Sequence, residues 1–175
     1  MKKSIIIITL AGFAGIAYAD SPIQLSLAPD IALEPRTDTI SGFSLGIWGE
    51  NPQTSLNLGV VNGSTEDSGG FSAAVVNYDE NYRGVHWAVV NSSSESFLGW
   101  QCGAVNIAHG TFLGFQSGVV NLGDDTSGVQ VGLVNYADSL RGVQLGLANF
   151  ANNNPMFTDF PDKLATGFPF FNWSF

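Results

Sequence analysis

One eight-residue motif recurs eight times between residues 42 and 149, and this repetition constrains the fold more than any other feature. The copies span 42–49, 55–62, 70–77, 84–91, 99–106, 114–121, 128–135 and 142–149. The clearest ones read Gly-[Val/Phe]-Gln-x-Gly-[Leu/Val]-[Val/Ala]-Asn. Seven close on Asn, at Asn62, Asn77, Asn91, Asn106, Asn121, Asn135 and Asn149. The steps between them are 15, 14, 15, 15, 14 and 14 residues. Of the 21 glycines, 13 occupy the first and fifth motif positions, so the glycine excess is architectural.

Positions two, four and six are mostly Val, Leu, Phe or Trp, whereas position three is Ser, Asn, His or Gln. This period of two describes a β-strand with one apolar face. The stretches between copies, such as 123–127 and 138–141, carry the Asp and Ser of turns. The fold class is therefore all-β. The polar third-position column (Ser44, Asn57, Ser72, His86, Gln101, Gln116, Gln130 and Gln144) is expected on the water side and the apolar positions in the core.

Two architectures use one strand per 14–15 residues. The first is a parallel β-solenoid of about eight coils, in which equivalent residues stack about 4.8 Å apart. The second is a small up-and-down outer-membrane β-barrel of 8–10 strands. An Asn at the same place in every copy favours the solenoid, where its amide can bond the next Asn and the backbone at a bend. A barrel alternates short and long connections, and here they are uniform. Motif positions two to six also cover only about 13 Å at about 3.3 Å per residue, against an apolar band of about 25 Å in outer-membrane barrels. The aromatic alternation at Phe171, Trp173 and Phe175 is the barrel's support. In a solenoid the same segment closes the last coil, a role that suits Pro155, Pro161 and Pro169.

The chain divides into a signal peptide (1–19), an N-terminal cap (20–41), the repeat domain (42–149) and a Pro/aromatic C-terminal cap (150–175). Lys2 and Lys3 precede an apolar stretch, and Ala17-Tyr18-Ala19 is a small-x-small cleavage site before Asp20. After cleavage 4 basic and 15 acidic residues remain, a net charge of −11. That balance excludes nucleic acid, which needs basic patches.

The motif at 114–121, 128–135 and 142–149 resembles the bacterial "surface repeat" family of exported proteins. The resemblance covers about residues 42–149, with Ser55 replacing the first Gly and Ala74 and Ala88 the fifth. It implies an exported, envelope-associated protein. It implies no established activity, so no functional residues carry over.

Few residues could carry chemistry. His86 sits in the polar column and His109 in a turn, with no nucleophile in a recognisable setting. Cys102 at the fourth position reads as a small buried hydrophobe. Asp124 and Asp125 form one acidic turn, whereas calcium-binding solenoids repeat their Asp in every coil. The reading is thus a non-enzymatic envelope protein with a structural, adhesive or surface-binding role, without cofactor or metal. An integral barrel is the second reading and a hydrolase the third. The seven Asn are the structural ladder. Gln101, Gln116, Gln130 and Gln144 are the candidate binding face for a repetitive ligand such as an envelope polysaccharide. Another surface protein is an alternative partner, membrane association stays open, and the open ends offer a route to homo-oligomers.

Overall fold

The computed structural model describes residues 20–175. The signal-peptide segment lies outside the described residues. Ten strands follow in order: β1 (Asp20–Ala28), β2 (Ile31–Ala32), β3 (Thr39–Glu50), β4 (Thr54–Ala73), β5 (Val76–Trp87), β6 (Val90–Cys102), β7 (Val105–Ser117), β8 (Val120–Val131), β9 (Val134–Ala151) and β10 (Gly167–Ser174). Their order in the sheet is β10-β9-β8-β7-β6-β5-β4-β3-β1-β2. Every pairing from β1–β3 through β8–β9 is parallel. The chain is a β-solenoid of about 7 turns, not a barrel. Eight motif copies delimit seven intervals, which is why the turns number one fewer than the copies.

Equivalent residues stack in register. Asn91, Asn106, Asn121 and Asn135 pair in sequence, as do Gly99, Gly114, Gly128 and Gly142. Each coil has three straight segments. In the coil after Asn106 they are 105–108, 111–113 and 115–117, broken at 109–110, at Gly114 and at 118–119. Gly114 has φ +147, and a Cβ there would lie 1.9 Å from the Gly99 carbonyl oxygen. Only glycine permits that approach of coil to coil.

The first break absorbs the difference between 14- and 15-residue coils. Ala108 pairs Gly123 but Thr111 pairs Asp125, so two residues at the β7 corner face one, Asp124, in β8. The same slip separates Asp79/Asn81 from Ser93/Ser96. The alternation on the straight segments is thereby undisturbed.

The stretches between motif copies are not turns alone, as expected from composition. Residues 125–127 belong to β8 and 138–141 to β9. They form the third side of each coil and supply most of its apolar interior. Tyr82, Phe97 and Phe112 are buried there, with successive rings 5.7 Å apart and within 13° of parallel. Such stacks contribute about 1 kcal/mol per pair beyond burial. Leu140, Ala137 and Ala151 form a second small cluster.

Both ends are closed by antiparallel strands. β2 folds back on β1, and β10 on β9 with Phe171 opposite Leu145 and Trp173 opposite Val143. The register slips beside Pro169, between Phe168 and Phe170.

Candidate functional site

The expected inside and outside are exchanged. Gln101, Gln116, Gln130 and Gln144 have 0% exposure, and Ser44, Asn57, Ser72 and His86 are buried too. No residue at motif positions two, four or six is buried. Alternation sorts side chains into two faces without stating which one faces in. Here amides take the interior because stacking supplies each with a partner, so burial leaves few unpaired polar atoms.

The glutamines form a directional chain. Gln144 Nε2 donates to Gln130 Oε1 (2.8 Å), Gln130 to Gln116 (2.7 Å) and Gln116 to Gln101 (2.9 Å). Gln101 Nε2 then donates to Ser93 Oγ (3.0 Å), which donates to Asp79 Oδ2 (3.1 Å). The asparagines run the opposite way. Nδ2 of Asn77, Asn91, Asn106, Asn121 and Asn135 each donates to Oδ1 of the next Asn at 2.8–3.0 Å. The second N–H of Asn91, Asn106, Asn121 and Asn135 serves a carbonyl at the coil's bend, of Cys102, Ser117, Val131 and Leu145 respectively. Asn62 joins the chain indirectly: it donates to Ser72 Oγ, which donates to Asn77 Oδ1. The two ladders' amide dipoles therefore oppose one another across the interior.

Two residues extend the glutamine column beyond the motif copies. Gln24 aligns with Ser44, and Asn172 lies opposite Gln144, both fully buried. Gln24 was legible in the Gln-Leu-Ser-Leu alternation of residues 24–27, whereas Asn172 lies in the aromatic tail and carried no such signal.

The glutamine chain ends at a buried acid–imidazole contact. His86 Nδ1 lies 3.4 Å from Asp79 Oδ2, and both side chains are almost wholly enclosed. Burial pushes the Asp79 carboxyl up to about 8, although the Ser93 hydroxyl opposes this. Burial also pushes the His86 imidazole down to about 3, so it is neutral. His86 was expected in solvent; instead it interrupts the glutamine column and packs against Tyr82 and Phe97.

The remaining candidates are scattered. Cys102, expected to be buried, projects from the outer surface in the column of Trp87 and Ser117 and is partly exposed. His109 stands exposed at the β7 corner, 3.5 Å from Asp124. Asp124 Oδ2 accepts from Gly110 N (3.1 Å), a contact between corners of adjacent coils.

The outer surface divides sharply by chemistry. The first side of each coil, motif positions two and four, presents residues such as Leu45, Trp87, Trp100, Phe115 and Leu145. The second side, from position seven onward, presents Trp48, Val61, Val76, Ile107, Leu122 and Phe150. They meet at a ridge of sixth-position residues: Ile47, Val60, Val75, Val89, Ala104, Val119, Leu133 and Leu147. Apart from Ala104, these are between 48% and 61% exposed. Between residues 55 and 149 no charged side chain projects from these two sides. Glu66, Glu80, Glu95, Asp124 and Asp138 line the opposite corner, and Asp67, Arg83, Asp125 and Arg141 the third side. Glu50, on the second side, is tied to Arg36 and accepts from Tyr78 Oη (2.7 Å).

By strand spacing and rise, the two apolar sides cover on the order of 800 Å², beyond the few hundred Å² of a typical monomer's largest patch. The solenoid is an amphipathic prism. Burial of the glutamines removes them as a ligand-binding face. No protein-family model, curated protein or solved structure matches the chain.

Proposed function

We propose that this is an exported, non-enzymatic repeat protein of the bacterial cell envelope, of the surface-repeat type, which works by binding a surface. One observation carries the reading: between residues 55 and 149 two of three outer sides are continuous, largely apolar and free of charged side chains, and they meet at an exposed ridge. A chain that merely needed solubility gains nothing from that arrangement. The interior supports the non-enzymatic part, because the Gln and Asn amides from Asn77 to Asn149 are committed to ladders and its one buried imidazole is 1% exposed. Export rests on the basic, apolar and small-residue order of residues 1–19.

The experiment adds purified mature chain, beginning at Asp20, to isolated bacterial envelopes and sediments them. Retention in the pellet is expected, undiminished by high salt, because between residues 55 and 149 the binding sides carry no charge for salt to screen. Protein remaining in the supernatant overturns the reading. N-terminal sequencing of the chain recovered outside the cytoplasm tests export, with Asp20 as the expected first residue.

A further inference from the structure

The geometry points to a zwitterionic phospholipid bilayer as the surface this prism occupies, with the sixth-position ridge leading into the headgroup and acyl boundary. The inference rests on the surface-binding reading and names its partner.

Shape is the first argument. The two apolar sides meet along the ridge, so a flat partner covers one and leaves the other wet. One side alone measures on the order of 400 Å² from strand spacing and rise, half of the roughly 800 Å² per partner in a stable protein interface. A deformable apolar medium covers both sides and the ridge together. Amphipathic helices meet lipid in the same way, burying one face about 5–10 Å deep.

Charge is the second argument. The ridge lies opposite the third side, and the coils' exposed carboxylates line that side and its acidic corner. A ridge-down orientation keeps them in water. The mature chain is strongly anionic, so an anionic lipid surface offers repulsion rather than attraction. This selects zwitterionic lipid.

The aromatic residues are the third argument. All four tryptophans project from the two apolar sides, Trp48 from the second and Trp87, Trp100 and Trp173 from the first. Trp48 Nε1 donates to Tyr78 Oη (3.0 Å) and Trp100 Nε1 to Ser117 Oγ (2.9 Å). Their indole N–H groups thus carry their own acceptors toward the boundary, where tryptophan concentrates.

The test is flotation of the mature chain with phosphatidylcholine vesicles. The protein is expected to float with them, and brominated phosphatidylcholine is expected to quench its tryptophan fluorescence. Val89→Glu with Val119→Glu, both on the ridge, should weaken partition by about tenfold or more. Thr111→Glu on the third side should leave it unchanged, with circular dichroism confirming the fold of each. Should the double variant fail to fold, Trp87→Gln with Trp100→Gln serves in its place and should cut partition similarly. Binding to envelopes without binding to phosphatidylcholine overturns the lipid assignment and leaves surface binding standing. Binding to neither overturns both. Vesicle binding that needs anionic lipid, or a stable dimer that the ridge variants dissociate, overturns the lipid assignment.

Discussion

Gln116 Nε2 donates to Gln101 Oε1 at 2.9 Å, and neither side chain touches solvent. Gln101, Gln116 and Gln130 each donate on one side and accept from the next coil's glutamine on the other, so the ladder converts a polar interior into a cohesive one. Replacing Gln116 by Leu leaves the Gln101 oxygen without a donor and takes the acceptor from Gln130. At about 1–3 kcal/mol for each buried group left unpaired, the variant should lose about 3 kcal/mol. Chemical denaturation measures it, and a loss below about 0.5 kcal/mol contradicts a cohesive ladder.

Gly114 is held at positive φ with the Gly99 carbonyl where a Cβ would sit. Gly114→Ala should therefore cost at least about 2 kcal/mol. Ser127→Ala, one residue before the next coil's equivalent glycine, should cost under about 0.5 kcal/mol. Thermal unfolding of the two variants side by side checks the contrast, and equal melting temperatures argue against it.

The corner at Asp124 has room for one more residue, since its neighbour in β7 already holds two. Inserting a Gly after Asp124 should cost less than about 1 kcal/mol. Inserting the same Gly after Gln116 inverts the alternation of that segment and should prevent cooperative folding. The near-ultraviolet circular dichroism of both insertions decides the matter.

Asp79 and His86 set a pH window. The folded Asp79 titrates at about 8 against an ordinary 3.8, and the folded His86 at about 3 against 6.5. Above about pH 6.5 the unfolded chain has released both protons while the folded chain keeps that of Asp79. Stability therefore falls as pH rises to about 8, by up to about 1.4 kcal/mol per pH unit. Between about pH 4 and 6.5 the two effects cancel, because folded Asp79 and unfolded His86 each hold one proton. Below about pH 4 the Asp79 carboxyl is protonated in both states and only the unfolded chain holds the imidazole proton, so acidification destabilises again. Denaturation midpoints from pH 3 to 9 should trace this plateau and its two falls, and Asp79→Asn should remove the alkaline one. A midpoint unchanged from pH 6.5 to 8 refutes the buried acid.

Much of the fold was legible in the chain. The constant place of Asn in each copy identified parallel stacking, and the uniform connections argued against a barrel. The sign of the alternation was not legible. Gln, Ser and Asn at position three look like a wet face in any single strand, and only stacking shows that each amide finds its partner in the next coil. Cys102 was misplaced for the same reason. The third side was missed because Tyr82, Phe97 and Phe112 lie among Asp, Asn and Ser. A signal existed: the residue four before position three is apolar at Tyr82, Phe97, Phe112 and Leu140, though polar at Ser68 and Thr126. The surface site followed from the exchange of faces and could not be seen without it.

Cys102 and Gln101 are neighbours on one strand that face opposite ways, so maleimide labelling of the folded protein tests the exchange of faces most directly. The chain has a single cysteine. The native protein should label at Cys102 without denaturant. With Cys102→Ser and Gln101→Cys combined, the thiol should label only on unfolding. Protection of Cys102 together with free labelling at 101 contradicts the account.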